Sequence, residues 1–271
     1  MNSISAILQK KYITKKKALI PFITAGYPSS DFTVKALLTL DSQGADIIEL
    51  GIPYSDALAD GFLIQESSKI ALQQGIYLTQ VLYILEKIKF KLNSPIIIFT
   101  YYNPVLVRGV NKFIKEIYLL GVKGLIIPDL PLEEINYISY LCINYKIELI
   151  LFISPTSSYD RILKIVSKAP GCIYLVSKTG VTGIKSYLNN NINILSSYIK
   201  FNTNKSLILG FGISSSSQVS YISKWKNISG IVMGSAFIQI LLYSYINKEH
   251  NLNMINKLSD FCKQMKRVIE N

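Results

Sequence analysis

The sequence predicts a closed α/β fold, a (β/α)8 TIM barrel, and two observations support this prediction. Short apolar segments rich in β-branched residues recur eight times along the 271 residues, and segments with helical periodicity separate them. Strands that alternate with helices form parallel sheets, and eight such units close a barrel. A doubly wound open sheet is the alternative. Because no linker or shift in composition divides the chain, we expect residues 1–271 to form a single barrel domain.

The predicted strands are short runs dominated by Ile, Leu and Val, and most are soon followed by Gly, Pro, Asp or Ser. Runs of this kind are typical of strands that are buried on both faces, as in a barrel covered by helices. In chain order they cover residues 19–24, 47–51, 96–101, 124–128, 148–153, 173–176, 207–210 and 230–233.

Helical periodicity fills the intervals between these strands. The second interval is long enough for two helices, at residues 63–74 and 79–91, and further extra helices are expected in the later βα units. Residues 3–11 would form an additional helix across the floor of the barrel. The remaining helical patterns lie at residues 34–40, 113–119, 135–143, 161–166 and 219–225.

The composition argues against membrane and nucleic-acid functions. Apolar runs are strand-sized and fall short of the roughly 18 residues that cross a bilayer, so we expect no membrane segment. The net charge is +12, but the lysines are scattered and not clustered with Arg or aromatic residues, so no nucleic-acid partner is expected. The lysine-rich start lacks Arg and runs directly into the first strand, so we expect no transit peptide.

The cysteines and the single histidine argue against metal chemistry. Cys142, Cys172 and Cys262 form no C-x-x-C pair, so neither a zinc site nor a disulfide framework is indicated, and a reducing compartment fits. His250 lies in a polar segment near the end, which argues against histidine triads and multi-histidine metal sites. We therefore expect no metal, and acid–base chemistry falls to carboxylates, Tyr or Lys.

The segment 47–61 carries the strongest chemical signal. An apolar strand brings in Glu49 near its end, and a loop that contains Gly and Pro follows with Asp56 and Asp60. Catalytic residues of barrels lie at the carboxyl ends of the strands, so Glu49 and Asp60 are a candidate acid–base pair. Their roles would differ if their environments separate their pKa values. The alternative is a solvated strand end followed by ordinary turn aspartates.

Glycine-containing loops after the last three strands indicate a phosphate site. They cover residues 180–183, 210–214 and 233–236, and a short helix beginning at Ser235 would direct its positive end to the same place. Each loop alone could simply close a turn. The first loop has glycines at both ends and could act as a lid, with Thr182 bonding to a catalytic carboxylate on closure.

Other polar and aromatic residues follow the strands and should converge at the same end of the barrel. Tyr101 could contact a ligand or pack in the core, and Asp129 could act in the site or hold a turn. Arg108 and Lys178 could attract an anionic substrate or face solvent. The remaining candidates are Phe22, Thr24, Asn103 and Tyr174.

Five motifs, in order and in spacing, resemble those of the tryptophan synthase alpha subunit family. They are PFITAGYP at 21–28, ELGIPYSD at 49–56, LADG at 58–61, GVTG at 180–183 and GFGIS at 210–214. The similarity runs from about residue 1 to residue 270. It implies a carbon–carbon lyase that cleaves indole-3-glycerol phosphate to indole and glyceraldehyde 3-phosphate in a retro-aldol reaction, without a cofactor in this chain.

The resemblance also implies roles for individual residues. Glu49 would protonate the indole ring carbon that bears the side chain and assist removal of the hydroxyl proton. Asp60 would bind the indole N–H and stabilise the positive charge that develops on the ring. Positions that match the substrate pocket are Phe22, Tyr101, Tyr174 and Thr182, and positions that match the phosphate site are Gly183, Gly212, Gly234 and Ser235.

The resemblance further implies a partner, the pyridoxal-phosphate-dependent beta subunit, in an α2β2 heterotetramer. The beta subunit would receive indole through a tunnel and condense it with serine to form L-tryptophan. Pro53 and Asp56 lie in the loop that would contact it. Ala57 and Phe62 stand where the family commonly has Pro, which should loosen the unbound loop.

Two compartments suit a basic chain whose Lys, Asn, Ile and Tyr content is typical of an AT-rich genome. They are the plastid stroma, with a plastid-encoded gene, and the bacterial cytoplasm. Two other functions stay open. One is another phosphate-binding barrel, such as a sugar-phosphate isomerase, against which the single histidine argues. The other is a basic scaffold or nucleic-acid binder, which rests on the net charge alone.

Overall fold

The computed structural model describes residues 3–177 and 190–270, and it shows a closed barrel of eight parallel strands in sequential order. The predicted fold class is therefore confirmed. The sheet closes because β1 pairs with β8 as well as with β2. The strands are β1 (Ala18–Thr24), β2 (Ile48–Gly51), β3 (Ile96–Phe99), β4 (Gly124–Ile126), β5 (Glu148–Ile153), β6 (Ile173–Val176), β7 (Leu207–Gly210) and β8 (Ile228–Met233).

Helices surround this sheet within the described residues. Two helices follow β2, as predicted, and helix pairs also follow β3 and β8. The helices are α1 (Ser3–Ile13), α2 (Ser30–Ser42), α3 (Phe62–Gln73), α4 (Leu78–Ile88), α5 (Tyr102–Arg108), α6 (Val110–Leu119), α7 (Ile135–Asn144), α8 (Tyr159–Lys168), α9 (Asn190–Phe201), α10 (Ser216–Ser223), α11 (Ser235–Ile246) and α12 (Asn251–Glu270).

Alternate strand residues separate the core into two layers. Outward residues such as Leu19, Ile98 and Leu149 pack against the helices, whereas inward residues such as Ile97 and Ile150 fill the barrel. Side chains in a strand alternate between faces, so each strand contributes to both layers. The inner layer is the cluster from which the candidate site rises.

The floor of the barrel, at the amino ends of the strands, is covered by α1. Ile4 and Leu8 of this helix are fully buried in the inner cluster. Glu148 opens β5, and its carboxylate accepts hydrogen bonds from Ser5 N (3.1 Å), Ser5 Oγ (2.6 Å) and Cys172 N (2.6 Å). The helix predicted across the floor is therefore present, and a buried carboxylate attaches it to the sheet.

Candidate active site

Glu49 lies at the mouth of the barrel, on the second residue of β2 and in register with Phe22 of β1. Its side chain is only 2% exposed. Within the described part of the chain, Oε2 of Glu49 is buried without a hydrogen-bond partner. Burial raises the pKa of Glu49 to about 8, and the negative charge of Asp60 adds to this effect. Glu49 can therefore hold a proton at neutral pH.

Asp60 is the second buried acid of the mouth and is 5% exposed. Burial raises its pKa to about 7, while a hydrogen bond from the Tyr101 hydroxyl acts in the opposite direction. The same hydroxyl accepts a hydrogen bond from Ala59 N at 3.1 Å. Because one neighbour donates to Asp60 and none is recorded for Oε2 of Glu49, Asp60 ionises more readily of the two.

The loop that carries Asp60 is held from α3 as well as from β3. Nε2 of Gln65 donates to the carbonyl oxygens of Ala57 (3.1 Å) and Asp60 (3.0 Å). Two residues further along α3, the hydroxyls of Ser67 and Thr24 are hydrogen-bonded at 2.6 Å, which ties α3 to β1. Gln65 was not among the residues predicted from sequence, because an exposed helical glutamine shows no signal before its loop partner is known.

Aromatic rings line the mouth above the acids. The Phe99 ring lies 5.9 Å from that of Phe22 and 6.0 Å from that of Tyr101. The Tyr174 ring lies 4.5 Å from that of Phe152 and 5.7 Å from that of Phe211. The structure thus groups the predicted Phe22, Tyr101 and Tyr174, and it adds Phe99, Phe152 and Phe211. The parity of inward residues along β3 and β5 was a usable signal for Phe99 and Phe152.

Two of these rings lie directly over glycines. A Cβ on Gly51 would stand 2.5 Å from Cζ of Phe22, and a Cβ on Gly210 would overlap the phenol of Tyr174. Each ring therefore occupies space that only glycine leaves free. Gly234 is also close, since a Cβ there would stand 3.3 Å from Cδ1 of Phe22.

The carboxyl ends of β7 and β8 present backbone amides. Gly212 has a φ of +72° and follows Phe211, whose φ is +70°. Gly234 is the N-cap of α11, Ser235 is its first residue, and no side-chain cap is present there within the described residues. Free amides at a helix start favour an anion. Thr182, Gly183 and Lys178 lie outside the described residues.

For Asp129 and Arg108, the sequence left both a functional and a structural role open, and the structure shows a structural role for each. The Asp129 carboxylate accepts a hydrogen bond from Tyr102 N at 2.9 Å and so stabilises the start of α5. Arg108 forms two hydrogen bonds with the Glu116 carboxylate, at 2.9 and 2.8 Å, and its guanidinium is occupied there.

Residues 3–177 and 190–270 contain neither a metal-binding cluster nor a membrane-spanning helix. Across those ranges, no group of three or more His, Cys, Asp or Glu side chains could hold a metal ion. The same ranges contain no helix that is both long and apolar enough to cross a membrane.

A closed barrel that brings two buried acids, a cluster of aromatic rings and an uncapped helix start to the carboxyl ends of its strands is typical of an enzyme that performs acid–base chemistry. Comparison with known proteins agrees. The family described as tryptophan synthase alpha chain matches residues 8–270, and the chain belongs to this family. The predicted resemblance is thus confirmed.

Close relatives cover nearly the whole chain. The tryptophan synthase alpha chain of Gracilaria tenuistipitata var. liui is 59% identical over 99% of this chain and 97% of its own length. That of Antithamnion sp. is 55% identical over 99% of both chains. The crystal structure of tryptophan synthase subunit alpha from Legionella pneumophila str. Paris has a TM-score of 0.87 at 29% identity and covers 100% of this chain and 99% of its own.

Membership of the family establishes the class of reaction. The chain is a lyase of tryptophan biosynthesis that cleaves indole-3-glycerol phosphate, and the function expected from the motifs is confirmed. The family has no cofactor of its own and works with a beta subunit.

Proposed function

We propose that Glu49 and Asp60 carry the retro-aldol cleavage of indole-3-glycerol phosphate in this chain. The observation that supports this assignment is the pair of buried carboxylates at the carboxyl end of the sheet, with pKa values of about 8 and 7. Two acids whose pKa values differ and lie near neutrality can take opposite roles in one reaction. We further propose that residues 1–271 form one domain, since the strands from β1 to β8 close a single sheet.

Glu49 acts first as an acid in this mechanism. Its proton passes to the indole ring carbon that bears the glycerol chain, and the ring becomes positively charged. The resulting carboxylate then accepts the proton of the hydroxyl on the adjacent carbon. The C–C bond breaks, its electrons neutralise the ring, and an aldehyde forms. Glu49 ends as it began, protonated, so the cycle needs no other proton source.

Asp60 acts as a fixed negative charge. Its ionised carboxylate accepts a hydrogen bond from the indole N–H, and this bond strengthens as the ring becomes cationic. Such a group stabilises the transition state more than the neutral substrate. Asp60 is buried, and Tyr101 and Gln65 hold the loop around it, so little reorganisation is needed during the reaction.

The remaining assignments concern binding. Phe22, Tyr101 and Tyr174 line the pocket for the indole ring and the glycerol chain, and Thr182 is assigned to the same pocket by its motif. Gly212, Gly234 and Ser235 offer backbone amides to the phosphate, because the start of α11 has no side-chain cap in the described structure. Gly183 is assigned to the same phosphate by its motif.

The partner surface is proposed around the loop 53–62. Pro53 is buried and Asp56 is exposed, and the loop also exposes Leu58 (86%) and Phe62 (65%). Large exposed apolar side chains are typical of a surface that a partner covers. We propose that this surface contacts the beta subunit, which carries pyridoxal phosphate, in an α2β2 heterotetramer, and that neither nucleic acid nor membrane is a partner.

The origin of the relatives supports a location in a plastid stroma or a bacterial cytoplasm. Gracilaria and Antithamnion, the sources of the two relatives described above, are red algae, and the composition of the chain is typical of an AT-rich genome. A plastid-encoded gene fits both observations.

The assignment is tested by indole release from indole-3-glycerol phosphate, with and without a beta subunit. Glu49→Gln and Asp60→Asn should abolish release while the fold persists, and Asp31→Asn is the matched control because that carboxylate is exposed and pairs with the exposed Lys87. The beta subunit should raise the wild-type rate. Full activity in either mouth variant would refute the role of that residue, and an unchanged rate with the beta subunit would refute the coupling.

A further inference from the structure

Phe152 occupies an unusual place at the rim of the barrel. Its ring faces the aromatic pocket, with centroid distances of 4.5 Å to Tyr174, 5.8 Å to Phe211 and 6.3 Å to Phe99. The residue packs against the inner cluster of the barrel. It is also the one residue of β5 that is only half-buried, while the other five are buried.

The exposed side of Phe152 borders a second space. A cleft of about 540 Å³ lies between the carboxyl ends of β4 and β5 and the helices α7 and α8. The lining is mixed: Leu132, Ile135 and Ile165 are apolar, but polar groups, among them Ser154 and Arg161, make up the larger part of its exposed surface. Of the described residues that line this cleft, Phe152 is the only one that packs against the inner cluster.

We propose that Phe152 is a specificity-determining residue whose ring separates the indole pocket from this cleft. The ring would limit the pocket to an unsubstituted or lightly substituted indole. Without the ring, the pocket and the cleft would join, and the cleft would give room to a substituent on the benzene half of the indole. This inference rests on the proposed assignment of the aromatic pocket to the indole ring.

The size of the two spaces supports this assignment. A cleft of about 540 Å³ lies within the range of small-molecule sites, about 300–1,000 Å³, so it has room for a phenyl group. A close-packed aromatic cluster cannot expand to admit the same group, because rings in contact leave no voids of that size. The cost of an added phenyl therefore depends on whether Phe152 is present.

The test uses the reaction in the direction of condensation. Glyceraldehyde 3-phosphate is combined with indole or with 5-, 6- or 7-phenylindole, and kcat/KM is measured for the wild type and for Phe152→Ala. We expect the wild type to use indole and to reject all three phenylindoles by at least about 100-fold. Phe152→Ala should raise the ratio of phenylindole to indole kcat/KM at least about 10-fold for at least one isomer. Phe152→Leu replaces it if the alanine variant does not fold.

Two further variants test whether Phe152 acts as a barrier between the pocket and the cleft, or whether any enlargement of the pocket has the same effect. Phe99→Ala removes a ring of the same cluster that does not line the cleft, and it should not relieve the rejection. Adding Leu132→Trp to Phe152→Ala should fill the cleft and restore the rejection. Equal gains in Phe99→Ala and Phe152→Ala, no gain in Phe152→Ala, or use of phenylindoles by the wild type would each overturn the inference. If the wild type were inactive with indole itself, that result would instead refute the proposed function on which this inference rests.

Discussion

The barrel buries one glutamate at each end of its sheet, and the two are held differently. Glu148 at the floor is fully buried and accepts three hydrogen bonds, two from Ser5 and one from Cys172. Glu49 at the mouth is nearly as buried, yet Oε2 has no partner among the described residues and the pKa rises to about 8. The same residue type is thus a structural anchor where donors surround it, and it is able to hold a proton near neutral pH where they are missing.

Two glycines, one at the floor and one at the mouth, show the same difference between a structural end and a candidate functional end. A Cβ on Gly171 would overlap the Glu148 carboxylate at the floor, and a Cβ on Gly210 would overlap the Tyr174 phenol at the mouth. One glycine makes space for an anchor, and the other makes space for a pocket wall. Substitutions at the floor should therefore change stability, and those at the mouth should change activity.

The largest effect is expected for Glu49→Gln. Loss of the proton carrier should lower kcat about 10²- to 10⁴-fold. The folded pKa of Glu49 lies above the unfolded value of about 4.5, so its stabilising contribution is full below pH 4.5 and is lost as the pH rises through 8. Glutamine carries no titratable group, so the variant escapes this loss. The free energy of unfolding of the variant, measured relative to that of the wild type, should therefore be larger at pH 9 than at pH 5. Urea titrations at both pH values measure this gain, and a constant difference would contradict it.

A second test compares the two glycines. Gly210→Ala should displace the Tyr174 ring and lower kcat/KM about 100-fold, and the smaller side chain in Gly210→Ala/Tyr174→Ser should recover part of the loss. Gly171→Ala should leave kcat/KM within about threefold and lower the free energy of unfolding by about 1–3 kcal/mol. Steady-state kinetics and urea unfolding of the three variants measure both effects. The same loss of activity in both single variants would break the division between floor and mouth.

Glu148→Gln tests the anchor alone. The amide keeps the size of the side chain but weakens the hydrogen bonds from Ser5 and Cys172, because bonds to a charged acceptor contribute about 1.5–3 kcal/mol each against about 1 for neutral ones. We expect the free energy of unfolding to fall by about 2 kcal/mol and kcat to change by less than about threefold. Thermal unfolding with parallel activity assays provides the measurement, and a large loss of kcat at unchanged stability would assign chemistry to the floor.

The smallest expected effect is the pH dependence of the wild type. The proposed mechanism requires Asp60 to be ionised and Glu49 to be protonated, so kcat/KM should rise as the pH passes about 7 and fall as it passes about 8. The two values belong to the interacting pair. A profile from pH 5 to 10 measures both limbs, with rates below about pH 6 and above about pH 9 at least about tenfold lower. A flat profile would contradict the mechanism.

Sequence patterns anticipated the sheet better than the outer helices. Strands buried on both faces appear as continuous apolar runs, so all eight were located. The helix α5 was missed because Pro104 and Gly109 lie at its two ends and resemble loop signals. The helix α12 was also missed, although its buried residues recur every three or four positions.

In the candidate site, too, local sequence patterns indicated some residues and not others. Glu49 and Asp60 were identified because strand ends and a characteristic loop mark them. Gln65 and Phe152 were not, since their importance depends on what they contact from other elements: two loop carbonyls for Gln65, and an outer cleft for Phe152. Contacts between distant segments have no local sequence pattern.

The closure of the sheet by its first and last strands also bears on synthesis of the protein. Ala18 pairs with Gly230, and Ser5 reaches Glu148, so α1 and β1 leave the ribosome long before their partners are made. Neither the floor nor the final strand pair can form until most of the chain has emerged. The nascent amino-terminal segment, including apolar β1, therefore stays without its final neighbours during translation, a period in which chaperones would protect it from aggregation.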